Sequence, residues 1–265
     1  MSGLVASASF EPPGTGDFVF RCIGPSYRVF GQTFCFNFII LLIVLTTLIV
    51  IGLFFFAFRK PKVIPGKFQL LMELGVDFVR ENIALPMLGP DASKYMPLLT
   101  TFFFFILIGN FFEVVPGFSL SASSRIALPL TLAMIAWITY NGAGIRKHGF
   151  FGYLRHTCII PSAPGWLRYT LLMFIEFISN IIVRPITLTV RLWANFLAGH
   201  FLLAIFFVGT IFFLVDGPKT WILVPVSFSL GTVLVGFEIF VSALQAFIFA
   251  ILSASYIGQA LAEEH

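Results

Sequence analysis

The chain has 265 residues, of which 58% are hydrophobic and 11% charged, and its mean hydropathy is +0.99. Soluble domains carry about 25% charged residues, so a soluble globular class is excluded and an integral membrane protein is expected. The net charge of +4 calls for no nucleic acid, because the basic residues gather in loops where they set membrane orientation.

Residues 1–35 are mixed and polar and include Pro12, Pro13 and Gly14. They lack the basic start and apolar core of a cleaved signal peptide, so an extracytoplasmic N-terminal segment is expected. Residues 36–265 read as a single membrane domain. Its first span is residues 36–58, roughly 35 Å of helix against about 30 Å of hydrocarbon. Arg59, Lys60, Lys62 and Lys67 follow, which places that end in the cytoplasm and the N-terminus outside.

Over residues 66–82, Phe68, Leu71, Met72, Gly75, Phe78 and Val79 recur at helical spacing while Glu73, Asp77, Arg80 and Glu81 fall elsewhere. This pattern predicts an amphipathic helix, lying at the cytoplasmic interface or packed on a partner subunit. Residues 95–141 hold the next two spans. The second, 95–115, carries Asn110 and Glu113 near its outer end, ahead of Pro116 and Gly117; the third, 126–141, contains Pro129 and returns inside. Arg125 alone marks the outer loop, whereas Arg146, Lys147, Arg155 and Arg168 populate the inner one. That bias gives a multi-pass chain with the N-terminus outside and a cytoplasmic C-terminus.

Residues 167–262 do not divide into ordinary spans. Residues 167–215 would be on the order of 70 Å long as one helix and 221–262 on the order of 60 Å, so they must tilt steeply or break near Pro185 or Gly199. Asp216, Gly217, Pro218 and Lys219 are a turn signal, and a long inclined antiparallel hairpin is expected. The fold class is therefore all-α: a polytopic membrane protein with about five membrane-embedded helices and an interfacial amphipathic helix. Reflection about Gly217 brings Gln245 near the level of Arg191 and Glu238 near that of His200.

Arg191 is the costly residue. At the centre of a membrane helix an arginine costs roughly 2.5–3.5 kcal/mol on insertion scales, and it cannot shed its proton. It is either ion-paired with an acid elsewhere in the bundle or part of an ion or substrate path. At about 100° per residue, Arg184 and Arg191 share a face with Asn195 one turn beyond, and His200 points away from Arg191. Glu238, Ser242 and Gln245 share a face of the last helix. Asn195 and Gln245 read as interhelical glue or as ion ligands. Ser242, Thr187 and Thr189 are expected to bond their own helix backbone. Glu176 reads as a solvated interfacial carboxylate or as part of a path, and Glu238, among apolar neighbours, as paired, protonated or wetted by a cavity. Cys22, Cys35 and Cys158 show no metal-ligand spacing and no even framework, so unpaired thiols, no metal and no cofactor are expected.

The run Arg191, Leu192, Trp193, Ala194, Asn195, Phe196, Leu197, Ala198, Gly199 and His200 follows Arg184, Pro185, Ile186, Thr187 and Leu188. Together with Glu238, with Leu244 to Phe249 and with Asn110 to Pro116, it resembles the subunit a family of F-type ATP synthases, in particular actinobacterial members. The resemblance implies the stator of a membrane motor whose partners are the rotating c-subunit ring, the b-subunit peripheral stalk, the lipid bilayer and protons. It implies that Arg191 faces the ring carboxylates with Asn195 and Gln245 close by. Glu113, His200 and Glu238 would line an outer half-channel and Glu176 would lie near an inner one. Glu176 stands fifteen residues before Arg191, one more than the resemblance leads one to expect, and Arg184 is assigned no chemistry.

The mechanism so implied moves a proton from outside past Glu113, His200 and Glu238 onto a ring carboxylate, which can then enter lipid without the desolvation cost of a bare charge. After nearly a full turn the field of Arg191 releases the proton into the inner half-channel. The chain has no phosphate-binding loop, so it is not expected to have a catalytic site of its own. Two other classes stay open on the residues alone. A secondary transporter would show pseudo-symmetric halves, which are not seen, and a structural anchor would tolerate loss of Arg191.

Overall fold

Among the residues that the computed structural model describes, 27–29, 32–34, 37–115, 122–158 and 173–262, five helices are long and apolar enough to cross a membrane. The chain is a multi-pass all-α membrane protein. Cys22, Cys35, Pro116, Gly117, Arg168 and the expected start of the hairpin at 167–172 lie outside the described residues. In the N-terminal segment β1 (Tyr27–Val29) and β2 (Gln32–Phe34) form an antiparallel ribbon with Arg28 opposite Thr33.

Helix α1 (Phe38–Phe58) is almost uniformly apolar, with Ile39, Leu42, Thr46 and Val50 turned inward and Leu48, Ile51 and Phe56 exposed on the opposite side. An all-apolar helix buried on one side only is what lipid on the other side allows. Helix α2 (Lys67–Val79) continues through a π turn, Arg80–Ala84, into α3 (Leu85–Leu88). Its inward stripe is Gln69, Met72 and Val79, so Phe68, Leu71 and Phe78 of the expected apolar face stay exposed. Gly89, at φ 53°, reverses the chain where a side chain would be strained. After the 3₁₀ turn Gly89–Asp91, α4 (Ala92–Phe111) runs back.

Helix α5 (Ala127–His148) follows the 3₁₀ turn Ala122–Ser124 and holds Pro129 in its first turn, where a missing N–H breaks no helical bond. Arg146, Lys147 and His148 fill its last turn, favourable toward the negative end of the helix dipole. Helix α6 (Phe150–Cys158) comes next, then α7 (Met173–Ile178), a second π turn (Ser179–Val183) and the hairpin of α8 (Arg184–Asp216) with α9 (Val224–Leu261). The hairpin therefore contains no break at Gly199; the irregularity lies just before Pro185.

Helix α9 is the centre of the bundle, packed on α4, α5 and α8. Its buried side is rich in small residues, including Ala246, Ala250, Ser253 and Ala254, which let membrane helices approach closely. At Gly258 a Cβ would collide with the Met87 carbonyl. Gly258→Val is expected to destabilise the protein by about 1–3 kcal/mol through overpacking, measured as a lower temperature of thermal inactivation in detergent.

Contacts across the hairpin fix its register. Thr210 Oγ1 donates to Ser227 Oγ at 3.0 Å. The midpoint therefore falls between Pro218 and Lys219 and not at Gly217, because Thr220 caps the turn through Phe213 O and Gly217 O before the 3₁₀ turn Trp221–Leu223 begins.

Candidate functional site

Leu188 and Leu192 bury one side of α8, and the Arg191 side chain is exposed on another. Among the described residues no acidic group pairs with it. An internal ion pair is thus not what holds this charge in an apolar helix, and the guanidinium is directed outside the subunit. Asn195, one turn on and half-buried, lines a cleft of about 90 Å³ between the hairpin helices, together with Gly199, Leu234, Phe237 and Glu238.

Glu238 is 5% exposed and its Oε1 has no hydrogen-bond partner. Its carboxylate fits against α8 only because residue 199 has no side chain; a Cβ on Gly199 would collide with it. Further along the same face of α9, the Phe102 and Phe249 rings meet edge to face, 5.3 Å between centroids. Equal steps outward from these rings along the antiparallel α4 and α9 lead to Glu113 and Glu238. Glu113 is 6% exposed, its Oε1 is likewise unpartnered, and it lies close enough to Glu238 for the two to interact electrostatically.

Ser242 and Gln245 continue the Glu238 face of α9. Both are buried, and Ser242 Oγ and Gln245 Nε2 lack partners. Buried polar atoms are ordinarily satisfied, so a file of such atoms from Glu113 through Glu238 and Ser242 to Gln245 is suited to hydration. The bland readings hold elsewhere. Thr187 and Thr189 donate to the backbone of Arg184 and Pro185, and Asn110 accepts from Ser123 at 3.0 Å. Ser242, expected to bond its own backbone, does not.

The model of the ATP synthase A chain family matches residues 40–258. The chain belongs to the ATP synthase A chain family. It is similar to the ATP synthase subunit a of Rhodococcus erythropolis, 40% identical over 98% of this chain and 94% of the relative. It also resembles those of Nocardioides sp., 38% identical over 97% of this chain and 95% of the relative, and of Streptomyces lividans, 37% identical over 97% and 89%.

In this ATP synthase A chain family member the remaining candidate residues stand apart from the polar file. His200 follows Gly199 and so sits at the level of Glu238, but its half-buried imidazole stacks on Phe196, 5.7 Å between centroids, and does not line the cleft. Glu176 is half-buried on α7, beyond the second π turn. Arg184, expected on the Arg191 face, is drawn to α9: its Nη2 donates to Gln259 Oε1 at 2.9 Å and its guanidinium lies 4.7 Å from the Tyr256 ring centroid. Gly199, expected from the sequence only as a possible break, is instead the place where the Glu238 carboxylate approaches α8, as an isolated glycine inside a helix can signal.

Proposed function

We propose that this chain is the stationary subunit a of a proton-translocating ATP synthase, presenting two offset half-channels to a rotating ring of c subunits. The observation that carries this reading is the pairing of an exposed Arg191, without an acidic partner among the described residues, with buried carboxyls at Glu238 and Glu113 behind it whose Oε1 atoms lack hydrogen-bond partners. A permanent cation on the outer surface of a membrane helix has a use only if a negative group comes to it from another subunit. The file from Glu113 to Gln245 supplies exchangeable protons on the outer side, with His200 flanking Glu238. Asn195 bridges that file to the face of Arg191, and Glu176 serves the inner half-channel.

On this reading the N-terminus is outside and the C-terminus cytoplasmic, the b subunit anchors the chain as peripheral stalk, and ATP chemistry belongs to other subunits. Because neither half-channel crosses the membrane, proton flow requires rotation, driven by about 2.3 kcal/mol per charge per 100 mV. Gentle solubilisation of the affinity-tagged chain is expected to recover a ring of small hairpin subunits, identified by mass spectrometry. Proton flux through the chain reconstituted alone, without the ring, would instead mark a free-standing transporter.

A further inference from the structure

The second π turn lies between the two groups whose relative placement matters most for the inner half-channel. Within it the Arg184 backbone N–H bonds to Ser179 O, five residues back. In an α-helix that donor would go to Asn180 O. Pro185, the next residue, has no N–H for Ile181 O and its ring crowds that carbonyl, which explains why the ladder slips here. The Asn180 carbonyl, deprived of its helical donor, is taken by Tyr140 of α5, whose hydroxyl donates at 2.6 Å. Tyr140 is 1% exposed and Asn180 4%, so no solvent competes for that bond. Asn180 in turn donates through Nδ2 to Glu176 O at 3.1 Å, tying the turn directly to the residue that bears the acid.

The consequence is angular. Fifteen residues of uninterrupted α-helix would set Glu176 about 60° to one side of Arg191, whereas absorbing one residue in a π turn sets it about 40° to the other, a difference of about 100°. We propose that Tyr140 is a positioning residue: by holding the Asn180 carbonyl it maintains the π turn that absorbs one residue and fixes the direction in which Glu176 points relative to Arg191. This rests on the proposed role of Glu176 and Arg191 in proton transfer. Tyr140 touches neither proton donor nor acceptor; it acts through the helix.

The test is a cycle of variants assembled in the complete complex, with ATP-driven proton pumping measured in inverted vesicles and normalised to assembled chain. Tyr140→Phe leaves the Asn180 carbonyl buried without a donor and is expected to lower the pumping rate about fivefold or more. Deleting Ile182, which is 47% exposed, removes the extra residue and lets the segment become α-helix with Glu176 in the same direction, so pumping is retained. The double variant is then expected to pump like the deletion alone: Arg184 N–H now bonds to Ser179 O four residues back, and Pro185, four residues on from Asn180, offers no N–H toward which the helix could shift, so the direction of Glu176 no longer depends on the Tyr140 bond. Undiminished pumping by Tyr140→Phe, loss of pumping by the deletion, or a double variant as defective as Tyr140→Phe would each overturn the positioning role. In parallel, Glu176→Cys, with Cys22, Cys35 and Cys158 replaced by Ser, is expected to react with a water-soluble maleimide more slowly once Tyr140→Phe is added; an unchanged rate counts against the role. Arg191→Ala in the same series separates the two levels, since normal coupled pumping by that variant overturns the reading of the site itself.

Discussion

Arg191→Ala is expected to abolish ATP-driven proton pumping in inverted vesicles while the complex still assembles. The side chain is exposed and makes no pair among the described residues, so truncating it removes little packing and leaves no acid of this chain uncompensated. What is lost is a fixed positive charge. A cation at about 4–6 Å favours an ionised carboxylate by roughly 1–3 pH units, a factor of about ten to a thousand in the deprotonated population. A ring carboxylate passing an alanine would keep its proton, and rotation would carry it back unexchanged. Lysine is expected to rescue poorly, because a buried ammonium can discharge and a guanidinium does not. Vesicles carrying Arg191→Ala with normal ATP-coupled acidification would contradict this account. Loss of pumping together with loss of the assembled ring would point to a structural role.

Gly199→Val is expected to reduce pumping about tenfold or more by a different route. A Cβ at 199 already collides with the Glu238 carboxylate, and valine adds two methyl groups beyond it. The cleft measures only about 90 Å³, so the carboxylate must leave it or the hairpin must part. Forcing extra methyl groups into a packed contact costs about 1–3 kcal/mol, and displacing Glu238 breaks the file between Glu113 and Gln245. Two measurements distinguish packing from proton transfer. Adding Glu238→Ala to Gly199→Val removes the collision and is expected to restore the yield of assembled complex while pumping stays low. Recovery of both, or normal pumping by Gly199→Val alone, would show that Glu238 need not occupy its place against α8.

Long apolar runs and the cations beside them made the five crossing helices and the closing hairpin legible from residues alone. Register read from the turn placed Glu238 and Gln245 at the right levels but missed the midpoint. Reflection about Gly217 ignored the hydrogen bonds of Thr220, which extend the turn and shift the pairing to that seen between Thr210 and Ser227. Helical rotation correctly grouped Glu238, Ser242 and Gln245 on one side of α9, yet it could not tell that Ser242 Oγ and Gln245 Nε2 would lack partners, since satisfaction depends on what the neighbouring helices bring. Counting fifteen residues from Glu176 to Arg191 did not reveal the π turn between them. The π turn is a slip of one hydrogen bond; Pro185 hints at it, but the Tyr140 hydroxyl that stabilises it comes from a different helix. Arg184 shows the same limit, its Cα on the Arg191 face and its guanidinium held by Gln259.

The exposed Arg191 also bears on how such a subunit comes into being. Alone in a bilayer the chain carries an arginine for which none of its own described side chains compensates, at a cost of about 2.5–3.5 kcal/mol. That is about two to two and a half orders of magnitude in an equilibrium between solitary and assembled states. Once a complementary acidic surface lies against it, the penalty becomes an attraction. The same residue proposed to meter protons thus makes the unassembled protein the less stable species in its membrane, and docking onto the correct neighbour the step that relieves it.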